Sequence, residues 1–248
     1  MTMNLDRILD QARAYQSQLP ELPAIQPVAN AQVASFVDHT LLKPEATPEQ
    51  AEKLCMEARE YNFAAVCMNP IFVPLAARLL QGSNVKNCTV IGFPLGASLT
   101  SIKVAETEIV IAEGAQEVDM VIPVGMLKSG RYAEVYEDVL KVTEACHKQD
   151  VLLKVILETC LLEREEKIIA CLLCKEAGAD FVKTSTGFNK AGATPEDVEL
   201  MRRVVGPEMG VKAAGGVRSL ADAQMMLKVG ANRLGTSAGL TIVKEASA

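Results

Sequence analysis

Three lysines stand inside apolar runs. Lys154 lies in VLLKVILE (151–158), Lys183 in DFVKTSTG (180–187) and Lys212 in GVKAAGG (210–216). Each run otherwise has the composition of a buried strand, where an ammonium group is costly unless it is paired or loses its proton. The three positions fall 29 residues apart each time. Three consecutive units therefore place a lysine at an equivalent strand position. In a closed barrel, with neighbouring strands about 4.8 Å apart, three inward amines would share one small space. A free lysine amine has a pKa of about 10.4 and, protonated, cannot attack a carbonyl. Burial and a nearby cation both push that value down. Lys183, with Lys212 as the cation, is thus a candidate Schiff-base nucleophile.

The same space needs a counter-charge. Asp119 is mid-strand in EVDMVIP (117–123), Asp38 lies in SFVDHTLL (35–42), and Glu158 ends the Lys154 run. Carboxylates and amines together inside a barrel form a constellation of perturbed acids and bases. The competing reading is a buried ion-pair network with no chemistry. Cys67 falls near the end of another run, AAVCMNP (64–70). There it either faces the pocket or packs as a small buried residue.

The segments after the last three runs are TSTG (184–187), AAGGVRS (213–219) and GTSAG (235–239). Glycine lets backbone N–H groups approach an anion, and barrel phosphate sites form after the seventh and eighth strands. Gly187, Gly215, Gly216 and Ser237 occupy those places. Taken singly, each is also an ordinary tight turn.

These residues require a scaffold of repeating elements. Eight short apolar runs alternate with amphipathic stretches after residue 31, in units of about 25–30 residues, the spacing of a (β/α)8 barrel. An open doubly wound sheet is the alternative, but the Gly-rich G-x-G-x-x-G turn common in that fold is missing. Thr47-Pro48-Glu49 and Thr194-Pro195-Glu196 read as helix starts, and Ser219 with Asp222 as a capping pattern. Residues 1–30 stand apart as an N-terminal helical extension. Leu5, Ile8, Leu9, Ala12 and Tyr15 predict a helix over 4–18, and Pro20, Pro23 and Pro27 an extended linker. Such a helix would cover an open end of the domain or a neighbouring subunit. Residues 31–248 form the catalytic barrel domain.

The chain has 248 residues, 49% of them hydrophobic, and a formal net charge of −6. An acidic surface argues against nucleic acid and against a peripheral membrane role. The sequence has neither an apolar stretch of membrane-span length nor a secretory leader pattern at its N-terminus. Seven cysteines at scattered spacing fit a reducing compartment. A cytoplasmic location is the resulting expectation. Cys171 and Cys174 form one C-x-x-C, far from His39 and His147, so small buried helix residues are expected there rather than a zinc site.

The segments DHTLLKP (38–44), EVDMVIP (117–123), LKVILET (153–159), FVKTSTGF (181–188), VKAAGGVR (211–218) and RLGTS (233–237) closely resemble the deoxyribose-phosphate aldolase family. The resemblance spans residues 31–248. It implies a class I aldolase on a TIM barrel, needing no metal or cofactor. Such an enzyme interconverts 2-deoxy-D-ribose 5-phosphate with acetaldehyde and D-glyceraldehyde 3-phosphate. By motif, Lys183 matches the Schiff-base lysine, Lys212 the lysine that perturbs it, and Asp119 the acid of the proton relay. Lys154 matches a lysine that holds the substrate hydroxyl and the catalytic water. Asp38 and Thr40 match residues lining the pocket, and Gly187, Gly215, Gly216 and Ser237 the phosphate site. Two positions depart from some members. Ala238 follows Ser237 where a second serine can stand, and Phe188 replaces a lysine, leaving Arg218 or Lys190 to share the phosphate. The resemblance also implies a homodimer. Another class I barrel aldolase or transaldolase with a different donor is the nearest alternative, and a silent phosphosugar-binding barrel a more distant one.

Overall fold

The computed structural model describes residues 4–247. Eight parallel strands close into a barrel in sequence order. They are β1 (Val37–Leu41), β2 (Ala65–Met68), β3 (Lys86–Ile91), β4 (Glu117–Val121), β5 (Leu152–Ile156), β6 (Phe181–Lys183), β7 (Gly210–Ala214) and β8 (Arg233–Thr236). The helices are α1 (Leu5–Ser17), α2 (Pro48–Glu60), α3 (Val73–Leu79), α4 (Thr100–Ala112) and α5 (Val124–Lys128). They continue with α6 (Tyr132–His147), α7 (Arg164–Glu176), α8 (Pro195–Val205), α9 (Leu220–Lys228) and α10 (Gly239–Ala246). This is the (β/α)8 barrel that the strand periodicity predicts.

The expected helix starts form as read. Thr47 and Thr194 accept the amides of Gln50 and Asp197, with Pro48 and Pro195 in the first turn. Ser219 and Asp222 make a reciprocal capping box. Gly178 and Gly230 take positive φ at the ends of α7 and α9. A Cβ at Gly230 would also meet Arg202, so α8 and the β8 entry can approach closely only with glycine there.

The N-terminal helix does not cover an end of the barrel. It lies on the outer ring against α7, with Ile8 and Ala12 buried and Arg7 paired to Glu176 at 2.5 Å. The cause is α7 itself. Every residue from Ile168 to Cys174 is buried, so this helix is apolar around its whole circumference. Such a helix needs cover on both sides; the barrel supplies one and α1 the other. Cys171 and Cys174 belong to that packed helix as free thiols.

The apolar core lies between strands and helices, while the barrel's interior is strongly polar. Strand register gives the first correction. Lys183 pairs level with Lys212, but Lys154 pairs with Phe181, two residues before Lys183. Equal spacing in sequence is not equal height in the barrel, because closure forces the strands to stagger. Lys154 instead lies level with Asp119 on β4.

Candidate active site

Along a strand every second residue faces inward. That rule puts Glu117 and Asp119 of β4, Lys154 of β5, Lys183 of β6, Lys212 of β7, Arg233 of β8 and Asp38 of β1 into the lumen. The contacts agree. Asp119 is fully buried at the centre. Its Oδ2 accepts from Lys183 at 2.7 Å and from Lys212 at 2.8 Å, and its Oδ1 accepts from Lys154 at 2.9 Å. Lys212 also meets Asp38 at 2.5 Å, and Lys154 meets Glu117 at 2.7 Å. Arg233 closes the ring, donating to Asp38 from Nε at 2.7 Å and to Glu117 from Nη2 at 2.7 Å.

Among the described residues this cluster holds four cations (Lys154, Lys183, Lys212, Arg233) and three carboxylates (Asp38, Glu117, Asp119). With every group ionised it carries one surplus positive charge, which a low-dielectric interior opposes. The cluster balances when one amine is neutral. Lys154, Lys212 and Arg233 each touch two carboxylates, whereas Lys183 touches only Asp119.

The electrostatics fix the other members. Burial works against the charge of Asp119, yet Lys154, Lys183 and Lys212 outweigh it and hold the carboxyl well below its ordinary pKa. Burial likewise opposes Asp38, and Lys212 and Arg233 pull it below the usual carboxylate range. Burial alone would strip the proton from Lys212, but Asp119 and Asp38 reverse that and raise its pKa. Lys212 is therefore a permanent cation sharing one carboxylate oxygen with Lys183.

A cavity of about 360 Å³ opens at the C-terminal end of the strands. Thr40, Lys183, Gly187, Gly215, Gly216 and Ser237 all line it. Lys183 is the one amine of the three that reaches this space. Lys154, Lys212 and Asp38 are sealed in ion pairs beyond its wall, each fully buried. Lys154, expected to hold the substrate hydroxyl and the catalytic water, and Asp38, expected to line the pocket, are both absent from this lining; Lys154 contacts Asp119 and Asp38 contacts Lys212 instead. A hollow of about 490 Å³ lies outside the barrel between the 23–28 strap and Arg202 and Leu227. None of the clustered amines lines it, so the smaller cavity is the one with chemistry.

Glu158 is not a lumen counter-charge. It sits in the left-handed region at φ 57° just past β5, which turns its side chain toward the loop after β6. There it accepts from Thr186 Oγ1 at 2.5 Å and from Thr186 N at 3.3 Å, fixing the TSTG segment. Thr184 ties the same segment to β7, accepting from Ala214 N at 3.0 Å. Gly215 and Gly216 both hold positive φ, 84° and 85°, a pair of left-handed residues that glycine alone adopts without strain.

Cys67 does not face the cavity. It is fully buried beside its register partner Cys88, whose thiol donates to Asp119 Oδ1 at 3.3 Å.

The family profile described as DeoC/LacD family aldolase matches residues 32–245. The chain belongs to the DeoC/LacD aldolase family. Within this family, a deoxyribose-phosphate aldolase from Clostridium perfringens is 61% identical over 211 residues, 85% of this chain and 94% of that one. Another from Caldanaerobacter subterraneus is 56% identical over 214 residues, 86% of this chain and 93% of that one. A solved structure of deoxyribose phosphate aldolase from Aeropyrum pernix superposes with a TM-score of 0.83 at 31% identity, covering 99% of both chains. A crystal structure from Coccidioides immitis gives a TM-score of 0.93 at 40% identity, over 100% of this chain and 99% of that one.

Sequence reasoning passed over two members of the lumen cluster, Glu117 and Arg233. Both signals were present. Glu117 precedes Asp119 by two, and Arg233 precedes Gly235 by two, so each shares an inward face with a residue of a quoted motif.

Proposed function

We propose that the chain is a class I deoxyribose-phosphate aldolase, with Lys183 as the nucleophile, cleaving 2-deoxy-D-ribose 5-phosphate to acetaldehyde and D-glyceraldehyde 3-phosphate. One observation carries this reading: three amines converge on Asp119, and of these Lys183 alone lines the cavity. A lumen built only for stability has no use for a surplus amine at a cavity wall.

The mechanism follows from the charges. Neutral Lys183 attacks the aldehyde carbon of the open-chain sugar. Loss of water from the carbinolamine gives a protonated imine. The substrate's C3 hydroxyl gives up its proton as the C2–C3 bond breaks, and the bond's electron pair moves into the imine. That leaves an enamine on Lys183 and releases glyceraldehyde 3-phosphate. Protonation of the enamine carbon, then hydrolysis, frees acetaldehyde and the amine. Asp119, Lys212 and a water carry the protons. Lys154, itself braced by Glu117, holds Asp119 in place, and Asp38 with Arg233 keeps Lys212 charged. Gly187, Gly215, Gly216 and Ser237 take the phosphate at the far end, and Thr40 bounds the sugar chain.

Borohydride trapping tests the reading. Incubation with acetaldehyde and borohydride should add one ethyl group to the protein, and peptide mapping should place it on Lys183. An unmodified protein rejects the Schiff-base reading, and trapping by dihydroxyacetone in preference to acetaldehyde moves it to an aldolase with another donor.

Among the described residues no helix is long and apolar enough to cross a membrane. A homodimer is the assembly the resemblance implies, and Leu99, Ile102 and Ile109 along α4 offer exposed apolar surface for it. Light scattering should return twice the chain mass; a single-chain mass would reject it.

A further inference from the structure

Phe188 stands where a cation would help hold a phosphate. Its ring is 49% exposed, lines the cavity, and packs edge-to-face on Phe93 at 5.3 Å between centroids. This side of the mouth is therefore an apolar wall. Of the two cations considered as substitutes, Lys190 does not line the cavity, whereas Arg218 does. A third cation also lines it, Lys43, just beyond the end of β1.

The topology decides what these two cations can do together. In the closed barrel β8 lies between β7 and β1. The β8 loop, with Ser237, is thus flanked by the β7 loop, with Arg218, and the β1 loop, with Lys43. Both side chains are exposed, and neither forms an ion pair among the described residues. Arg218 has a nearby acid in Asp222, whose carboxylate accepts the Arg218 backbone amide at 2.9 Å. The Lys43 segment is itself anchored, its carbonyl accepting from Asn69 Nδ2 at 3.3 Å. A lysine on a fixed backbone, with no carboxylate partner, at the rim of a Gly-rich and hydroxyl-rich cavity, suits a dianionic ligand group.

We propose that Lys43 is a specificity-determining residue, the cation that grips the substrate's phosphate from the β1 side in place of the one absent at Phe188. The proposal rests on the aldolase reading above and gives a role to a residue of the DHTLLKP segment that had none. Lys43 stands on the opposite flank of the β8 loop from Arg218, so the phosphate is clamped across the mouth while the aldehyde end reaches Lys183.

The test is a selectivity ratio. kcat/KM is measured for 2-deoxy-D-ribose 5-phosphate and for unphosphorylated 2-deoxy-D-ribose, in wild type and Lys43→Met. Losing a charge-assisted contact to phosphate should lower the ratio of the two by about 10-fold or more. The loss should appear mainly in KM for the phosphorylated sugar. Lys43→Arg should restore most of the ratio, and Lys190→Met, outside the cavity, should keep it within about two-fold, the size of a screened surface charge. A Lys43→Met ratio equal to wild type, or one matched by Lys190→Met, overturns the proposal. Failure of the aldolase reading looks different: wild type then cleaves neither sugar.

Discussion

Lys183→Ala is expected to lose on the order of 10⁴-fold or more in kcat/KM, the scale at which removal of a covalent nucleophile is felt, while the fold stays intact. The second half of that expectation comes from the charge count. Breaking a buried ion pair normally costs about 3–5 kcal/mol because a charge is left without a partner. Here it is not. Asp119 keeps Lys154 on Oδ1 and Lys212 on Oδ2, and three cations then face three carboxylates. Circular dichroism melts should therefore lie close to wild type. Borohydride trapping should vanish with the activity. Turnover above a few per cent of wild type, or a trapped adduct on another lysine, would mean that the nucleophile lies elsewhere.

Lys212→Leu should be nearly as damaging, for a different reason. The nucleophile is still present, but the cluster loses its surplus positive charge. Lys154, Lys183 and Arg233 then balance Asp38, Glu117 and Asp119 only when all three are charged, so the charge count no longer favours a neutral amine. The expected loss at neutral pH is about 10²–10⁴-fold, which also includes removal of a proton carrier. The pH profile separates the two effects. In this variant the loss relative to wild type should be largest at neutral pH and should shrink toward alkaline pH. If the gap stays constant across the range, Lys212 acts only as a proton carrier. Wild-type turnover at neutral pH would defeat the electrostatic argument altogether. Asp38 retains Arg233 in this variant, so a folded protein is expected and can be verified by the same melts.

Much of this molecule is legible without coordinates. The short apolar runs mark the strands because a parallel strand covered on both faces must be apolar along nearly its whole length. Capping signals at Thr47, Thr194 and Ser219 are equally local, since side chain and amide lie within one turn. The three lysines stand out for an energetic reason: an ammonium group in an apolar run demands a partner or a function. Phe188 and Ala238 are likewise visible as departures, and the structure gives Phe188 a ring partner in Phe93.

What the sequence determined, then, is which positions along each strand share an inward face and which loops meet at the mouth. The tertiary structure decided at what height they sit and whom they touch. It dropped Lys154 to the level of Phe181, brought Glu117 and Arg233 into the charge balance, turned Glu158 away to hold Thr186, and set Lys43 beside the β8 loop. The reason is that facing direction is fixed residue by residue, whereas stagger between strands is a property of the closed barrel as a whole.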